Sequence, residues 1–286
     1  MTTNDMSMQG KVCLITGATA GIGLVTAQAL AARGATVVAV GRSAAKSAAT
    51  VAAIVQATGN PNVSYLLADL SVLSEVRKLA AQFTAAHNRL HVLVNNAGAV
   101  FIQPEKSADG IEMTWALNHM AYFLLTDLLL DTLKASAPAR IISVSSNAHE
   151  AGQINFDDPS RTTGFRAYAQ SKLANILFTT ELARRLAGTG VTANSLHPGV
   201  VATNFGTNNG WLGRAVRPLF NLVSISAEQG ADTMIYLATA PEVAEVSGVY
   251  FYKRKATTPA KAAQDSAAAQ RLWALSERLA GMPASS

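Results

Sequence analysis

Short apolar runs alternate with longer amphipathic stretches along most of the chain. Lys11 to Thr16 is a compact apolar run, followed by Gly17-Ala18-Thr19-Ala20-Gly21-Ile22-Gly23 and an Ala/Leu-rich segment that ends at Arg33-Gly34. A brief apolar run before a glycine cluster predicts a buried strand, and the segment after it a helix. The same alternation recurs. Ala35 to Val40 predicts a second strand, and Ser43 to Thr58 a helix closed by Gly59-Asn60-Pro61. Val63 to Ala68 predicts a third strand before a helix starting near Ser71, and His91 to Val94 a fourth. A long helical region runs from about Gly110 to Lys134, followed by a fifth strand at Arg140 to Val144. From Phe165 to Leu186, Leu173, Ile176, Leu177 and Leu182 recur at helical spacing. Val191 to Leu196, Gly248 to Tyr252 and a helix over Ala260 to Ala280 complete the series, with a frayed end after it. Strands alternating with helices predict an α/β fold: one doubly wound parallel sheet of about seven strands with helices on both faces. With no internal repeat and no linker, residues 1–286 are expected to form a single domain, with a tail at 1–9.

Strand, glycine turn and helix at the N-terminus form the opening of a Rossmann-type dinucleotide-binding unit. Gly17, Gly21 and Gly23 let the backbone turn tightly and approach a pyrophosphate, which would sit at the helix N-terminus beside Thr19, Ala20 and Ile22. The second strand of an NAD binder ends in an acidic residue for the adenosine ribose. Here Gly41 stands there, followed by Arg42. Without the carboxylate, and with a guanidinium suited to a 2′-phosphate, NADP(H) is expected over NAD(H). Asp69-Leu70 follows the third strand; Asp69 could meet the adenine amine or cap the next helix. Asn95-Asn96-Ala97-Gly98 follows the fourth, its small residues allowing close approach to a ligand and its amides tying strands together. Asn118, among apolar neighbours, needs partners: it either links the helix to a water near the site or stitches two helices.

Tyr168 and Lys172 are four apart on one helix and share a face. A phenol titrates near ~10 and is a poor proton donor at neutral pH. A cation held beside it favours the phenolate and brings it toward working range.

Composition narrows the function. The chain is 49% hydrophobic and 14% charged, enough apolar content for a large core. Cys13 is the sole cysteine, which excludes an internal disulfide and a cysteine-rich metal site. The net charge of +5 is scattered apart from Lys253-Arg254-Lys255, with no basic stripe interleaved with aromatics, so no nucleic-acid partner is expected. No apolar run reaches the ~18 residues of a membrane span, and Met1 to Gly10 lacks the apolar core of a signal peptide; a soluble cytoplasmic protein is expected. There is no HExxH, P-loop, EF-hand loop or G-x-S-x-G, and no metal is expected.

Taken in order, Thr16-Gly17-x-x-x-Gly21-x-Gly23, Asp69, Asn95-Asn96-Ala97-Gly98, Asn118, Ser146, Tyr168-x-x-x-Lys172 and Pro198-Gly199-x-x-x-Thr203 resemble the short-chain dehydrogenase/reductase family over essentially the whole chain. The stretches Asn118 to Thr126 and Tyr168 to Asn175, and the long Ser146-to-Tyr168 interval, are most similar to its retinol-dehydrogenase-like branch, which includes protochlorophyllide reductases. The resemblance implies reversible hydride transfer between NADP(H) and a carbonyl/alcohol pair. Tyr168 would be the general acid and base, Lys172 would lower its pKa and hold the nicotinamide ribose, and Ser146 would hydrogen-bond the substrate oxygen. Asn118 would hold a water through which Lys172 exchanges protons, and Val201 and Thr203 would fix the carboxamide. The chain departs from the pattern at Ala121 and Tyr122, where this branch often has Gly and His, and at Ala20, where many NADP-dependent relatives are basic. Cys13 lies in the first strand, which removes the protochlorophyllide reductase reading. Residues 204–226, with Phe205, Trp211, Leu212, Leu219 and Phe220, are expected to form a mobile apolar lid over a lipophilic aldehyde or ketone. His149 and His197 are expected to be structural. Members of the family often assemble as homodimers or homotetramers through the helices that hold Tyr168 and Asn118. The competing reading is a non-catalytic NADP(H) sensor on the same fold.

Overall fold

The computed structural model describes residues 6–199 and 225–283. Val201, Thr203 and nearly all of the expected lid lie outside the described residues. Among the described residues, eight strands form one sheet in the order β3-β2-β1-β4-β5-β6-β7-β8. They are β1 (Val12–Thr16), β2 (Thr36–Gly41), β3 (Val63–Leu67), β4 (Val92–Asn95), β5 (Ala139–Val144), β6 (Val191–His197), β7 (Tyr250–Tyr252) and β8 (Lys255–Ala256). All neighbours pair in parallel except β7 and β8. The chain runs outward from β1 to β3 and then returns to β4 on the other side of β1. The crevice for a ligand therefore opens where β1 and β4 end.

Alternation along the strands builds two cores. Leu14, Val38, Leu93 and Ile141 face one layer, with α3 (Leu73–Ala86), α5 (Ala121–Leu128) and α7 (Gly164–Arg185). Cys13, Ile15, Val37, Val94 and Ile142 face the other, with α1 (Gly21–Ala32) and α2 (Ala44–Thr58). A further helix, α8 (Ala227–Thr239), adds Met234 and Leu237 to this second layer. Cys13 is fully buried, and burial pushes its thiol up to about 12, so it packs as a small apolar side chain.

Four local expectations need correction. The eighth strand was not expected, because Lys253 and Arg254 make the β7–β8 turn at φ 49° and 61° without the glycine or asparagine that signals such a turn. Asp69 does not cap a helix at Ser71. Its Oδ1 accepts from Ser71 N (3.0 Å) and Ser71 Oγ (2.7 Å) in a local turn, and α3 starts at Leu73, whose N–H donates to Asp109. The long helix expected from Gly110 begins only at Met113, because Gly110 sits at φ 76° and Glu112 caps the amides of Thr114 and Trp115. It is then interrupted: α4 (Met113–Trp115) gives way to a π-helical turn over Ala116–Met120 before α5, and a break at Leu129 precedes α6 (Leu130–Lys134). The expected C-terminal helix is likewise a 3₁₀ turn, Lys261–Gln264, followed by α9 (Ser266–Leu279), which Asp265 caps.

Helix α9 lies along α7, with Trp273 stacked on Phe178 at 5.9 Å and the Arg185 guanidinium 4.3 Å from the Trp273 ring. With this cover on one side and the sheet on the other, every residue of α7 from Ala167 to Thr179 is buried within one chain.

Candidate active site

The first part of the site is the turn after β1. Gly17 and Gly21 sit at φ 66° and 55°, where a side chain would be strained. A Cβ at Gly23 would lie 2.5 Å from both Gly17 O and Asn96 Nδ2. Asn96 closes the turn from β4: its Nδ2 donates to Thr16 O (2.7 Å), and its N–H donates to Thr16 Oγ1 (2.8 Å), which also accepts from Ala97 N (3.0 Å). Thr16 thus joins the ends of β1 and β4, a role that sequence reading missed although the residue stood in the motif. Helix α1 opens at Ala20 without a side-chain cap, so no side chain competes for its first amides. Position 41 is tightly packed: a Cβ there would lie 2.6 Å from Ser47 Oγ and from Thr19 Cγ2, so a side chain at 41 requires those two to shift. Arg42 follows it, exposed, at the carboxyl end of β2. Leu70 is buried and Asp69 partly buried beside the same edge of the sheet. This bare, glycine-lined turn fits the pyrophosphate of a dinucleotide.

The second part hangs on α7. Lys172 is 3% exposed, and its Nζ donates to Val144 O, the last carbonyl of β5, at 3.1 Å. Ser145 Oγ donates to Lys172 O (2.7 Å), which pins the helix to the same strand end. The Lys172 ammonium lies 5.5 Å from the centre of the Tyr168 ring and 5.9 Å from that of Tyr122. Ser146, half-buried at the start of a 3₁₀ turn (Asn147–Ala151), hydrogen-bonds to the Tyr168 phenol and also accepts from Ala148 N (3.2 Å). Tyr168, Lys172 and Ser146 are therefore together, at the carboxyl edge of the sheet. Gly98 belongs here too: a Cβ on it would lie 3.2 Å from Asn118 Oδ1 and 3.5 Å from Lys172 Nζ.

The side chain of Asn118 is committed to protein partners. Its Nδ2 donates to Ala99 O (2.9 Å) and Ser171 Oγ (3.0 Å), and its Oδ1 accepts from Ala99 N (2.9 Å). It ties the loop after β4 to α7, and the widened π turn places it there. Tyr122 was legible only as a departure. Its ring is beside Lys172, and its hydroxyl is buried with no hydrogen-bond partner among the described residues. His149 holds structure: its Nδ1 meets Ser146 O (2.6 Å), and its Nε2 accepts from Ala260 N (3.1 Å). His197 stacks on Tyr252 at 5.0 Å, and burial lowers it to about 4.

Burial acts on both members of the central pair. It pushes the Tyr168 phenol up to about 12, opposed by the Ser146 hydrogen bond, and the Lys172 ammonium down to about 7. The expected lowering of the phenol below its ordinary value is thus not found; desolvation outweighs the Ser146 hydrogen bond.

A phenol, an ammonium and a hydroxyl beside a glycine-lined dinucleotide turn define a class. The chain belongs to the short chain dehydrogenase family, whose model matches residues 11–210, and it is an oxidoreductase that interconverts alcohols and carbonyls with NAD(P). Within that family it falls in the retinol-dehydrogenase-like branch. It is 45% identical to human retinol dehydrogenase 13 over 289 aligned residues, covering 98% of this chain and 87% of the relative. Among solved structures, it matches an uncharacterized protein from Mycobacterium paratuberculosis with a TM-score of 0.77 and 32% identity, over 96% of this chain and 95% of that one. It also matches a short chain dehydrogenase from Burkholderia cenocepacia in complex with NADP, with a TM-score of 0.69 and 28% identity, over 91% and 100%. Among the described residues no helix is long and apolar enough to cross a membrane, and no group of ligands could hold a metal ion.

Proposed function

We propose that the protein is an NADP(H)-dependent oxidoreductase for a lipophilic aldehyde or ketone and the corresponding alcohol, with Tyr168 as the acid/base. One observation carries this reading: Tyr168, Lys172 and Ser146 converge at the sheet edge where the glycine turn opens. When bound, NADP(H) supplies or accepts the hydride. Gly17, Thr19, Ala20, Gly21, Ile22, Gly23, Asn96, Ala97 and Gly98 would cradle the dinucleotide, with Asp69 and Leu70 at its adenine end. Val201 and Thr203 would complete the nicotinamide site. In reduction, Tyr168 gives its proton to the substrate oxygen, while the Ser146 hydroxyl donates to that oxygen as charge develops. Lys172 would hold the nicotinamide ribose and, while protonated, favour the phenolate left behind. Asn118 is a positioning residue, fixing Ser171 and the loop at Ala99.

NADP over NAD is supported by Gly41 and Arg42. Position 41 has no room for a carboxylate while Thr19 and Ser47 stay where they are, and the exposed guanidinium beside it suits a phosphate. A lipophilic substrate is supported by the rim of the site. Phe165 is 63% exposed with its ring 6.0 Å from that of Tyr168, and Ile102, 47% exposed, belongs to the segment against Gly164. The name of the 45% identical relative points the same way. The test is nicotinamide absorbance with NADPH against retinal, decanal and short polar aldehydes. The reading predicts turnover that improves with chain length; tight NADPH binding without turnover of any carbonyl would favour a sensor.

A further inference from the structure

We propose that Asn175 is a positioning residue of this site: by donating to the main-chain carbonyls of Val144 and Asn118, its carboxamide fixes where the Lys172 ammonium stands relative to Tyr168. The proposal rests on the reading of Tyr168 and Lys172 given above. Asn175 follows Lys172 by three residues on α7, so the two side chains leave the helix on one flank. It is fully buried. Its Nδ2 carries two N–H groups, and two carbonyls face it, Asn118 O at 3.0 Å and Val144 O at 3.2 Å. Two acceptors on that side settle which way the amide lies. Its Oδ1 faces the His119 ring at 3.4 Å, and His119 reaches Ser276 of α9 at 2.9 Å.

The Val144 carbonyl is the point of control, because it also accepts from Lys172 Nζ at 3.1 Å. A carbonyl oxygen has two lone pairs. Asn175 takes one, which leaves the ammonium a single direction of approach. An ammonium on a flexible four-carbon stem has little directional preference of its own. Remove the Asn175 donors and both lone pairs open to Lys172, which can then slide toward β5 and away from the phenol. The second bond fastens the π turn at Asn118 to α7, and Asn118 in turn holds Ser171. The titratable groups around this cluster are the phenols of Tyr168 and Tyr122 beside Lys172, and the imidazole of His119 beside Asn175.

The test is Asn175→Leu, which keeps the size and removes both donors, with Tyr168→Phe made in parallel. NADPH oxidation is followed with retinal or decanal, whichever the wild type turns over faster, across a pH series and with Tm recorded. We expect kcat at the pH optimum to fall about tenfold or more, with substrate KM and NADPH Kd within about twofold. Should Asn175→Leu not fold, Asn175→Ala lacks the donors without adding bulk and faces the same criteria. A variant with reduced Tm but unchanged kcat would reduce Asn175 to a fold-stabilising amide and overturn the proposal. If Tyr168→Phe stays active, the reading of the site fails instead. If Tyr168→Phe is inactive and Asn175→Leu behaves as wild type, only the present inference fails.

Discussion

At the scale of residues, burial sets the protonation of the site. Tyr168 and Lys172 are both almost fully enclosed, and enclosure drives each toward its neutral form. The spacing of the two residues was legible in the sequence; their depth was not, so the direction of the phenol's shift could not be read there. Burial of Lys172 also ties stability to pH. Folded, it releases its proton near 7, whereas an exposed lysine does so at 10.5. Between those values the unfolded chain binds more protons, so the contribution of Lys172 to stability rises with pH. Below 7 both forms are protonated, and the folded state bears the whole penalty of burying the charge. Lys172→Met removes that penalty. Thermal melts should show the variant more stable than the wild type at pH 6, with the gap narrowing steadily toward pH 9. A gap that stays constant or widens would show that the ammonium is well solvated in the folded protein.

At the scale of elements, the strand–turn–helix openings could be read because they rest on local rules. An apolar run, glycines that must turn and an amphipathic stretch specify β1, the turn and α1 with little help from the rest of the chain. Elements set by distant contacts were not visible. The apolar content of 110–134 predicts helix but cannot show the π turn that aims Asn118 at Ser171, because that turn is selected by bonds to Ala99 and α7. Asn175 stood in the sequence as a polar residue on a buried helix flank, yet its partners are 31 and 57 residues away. The end of β2 lies between these cases: Gly41 and Arg42 were legible, and the packing of Thr19 and Ser47 against position 41 was not. Arg42→Ala should weaken NADPH binding about tenfold or more while leaving NADH binding within about twofold, as removal of a charge-assisted bond to one phosphate requires. Isothermal titration with both cofactors checks this, and equal losses would refute the phosphate role.

At the scale of the molecule, one sheet carries both halves of the site, and α9 closes the outside of α7. The sequence showed the helix but not what it covers. Trp273 binds it in place, edge-on to Phe123 at 5.1 Å, stacked on Phe178 and capped by Arg185. Trp273→Ala should cost about 3–5 kcal/mol of stability, a drop in Tm on the order of 10 °C for a chain of this size. Calorimetry that found less than about 1 kcal/mol would mean that α9 is not needed for the core. In the proposed function, sheet, glycine turn and packed helices hold one phenol beside one ammonium where hydride transfer would occur. The most direct test of that arrangement is Tyr168→Phe, measured for NADPH affinity and for kcat with an aldehyde that the wild type reduces. NADPH binding within about twofold of wild type with a fall in kcat of about a hundredfold or more is the predicted result; a variant that reduces the aldehyde at close to the wild-type rate would contradict it.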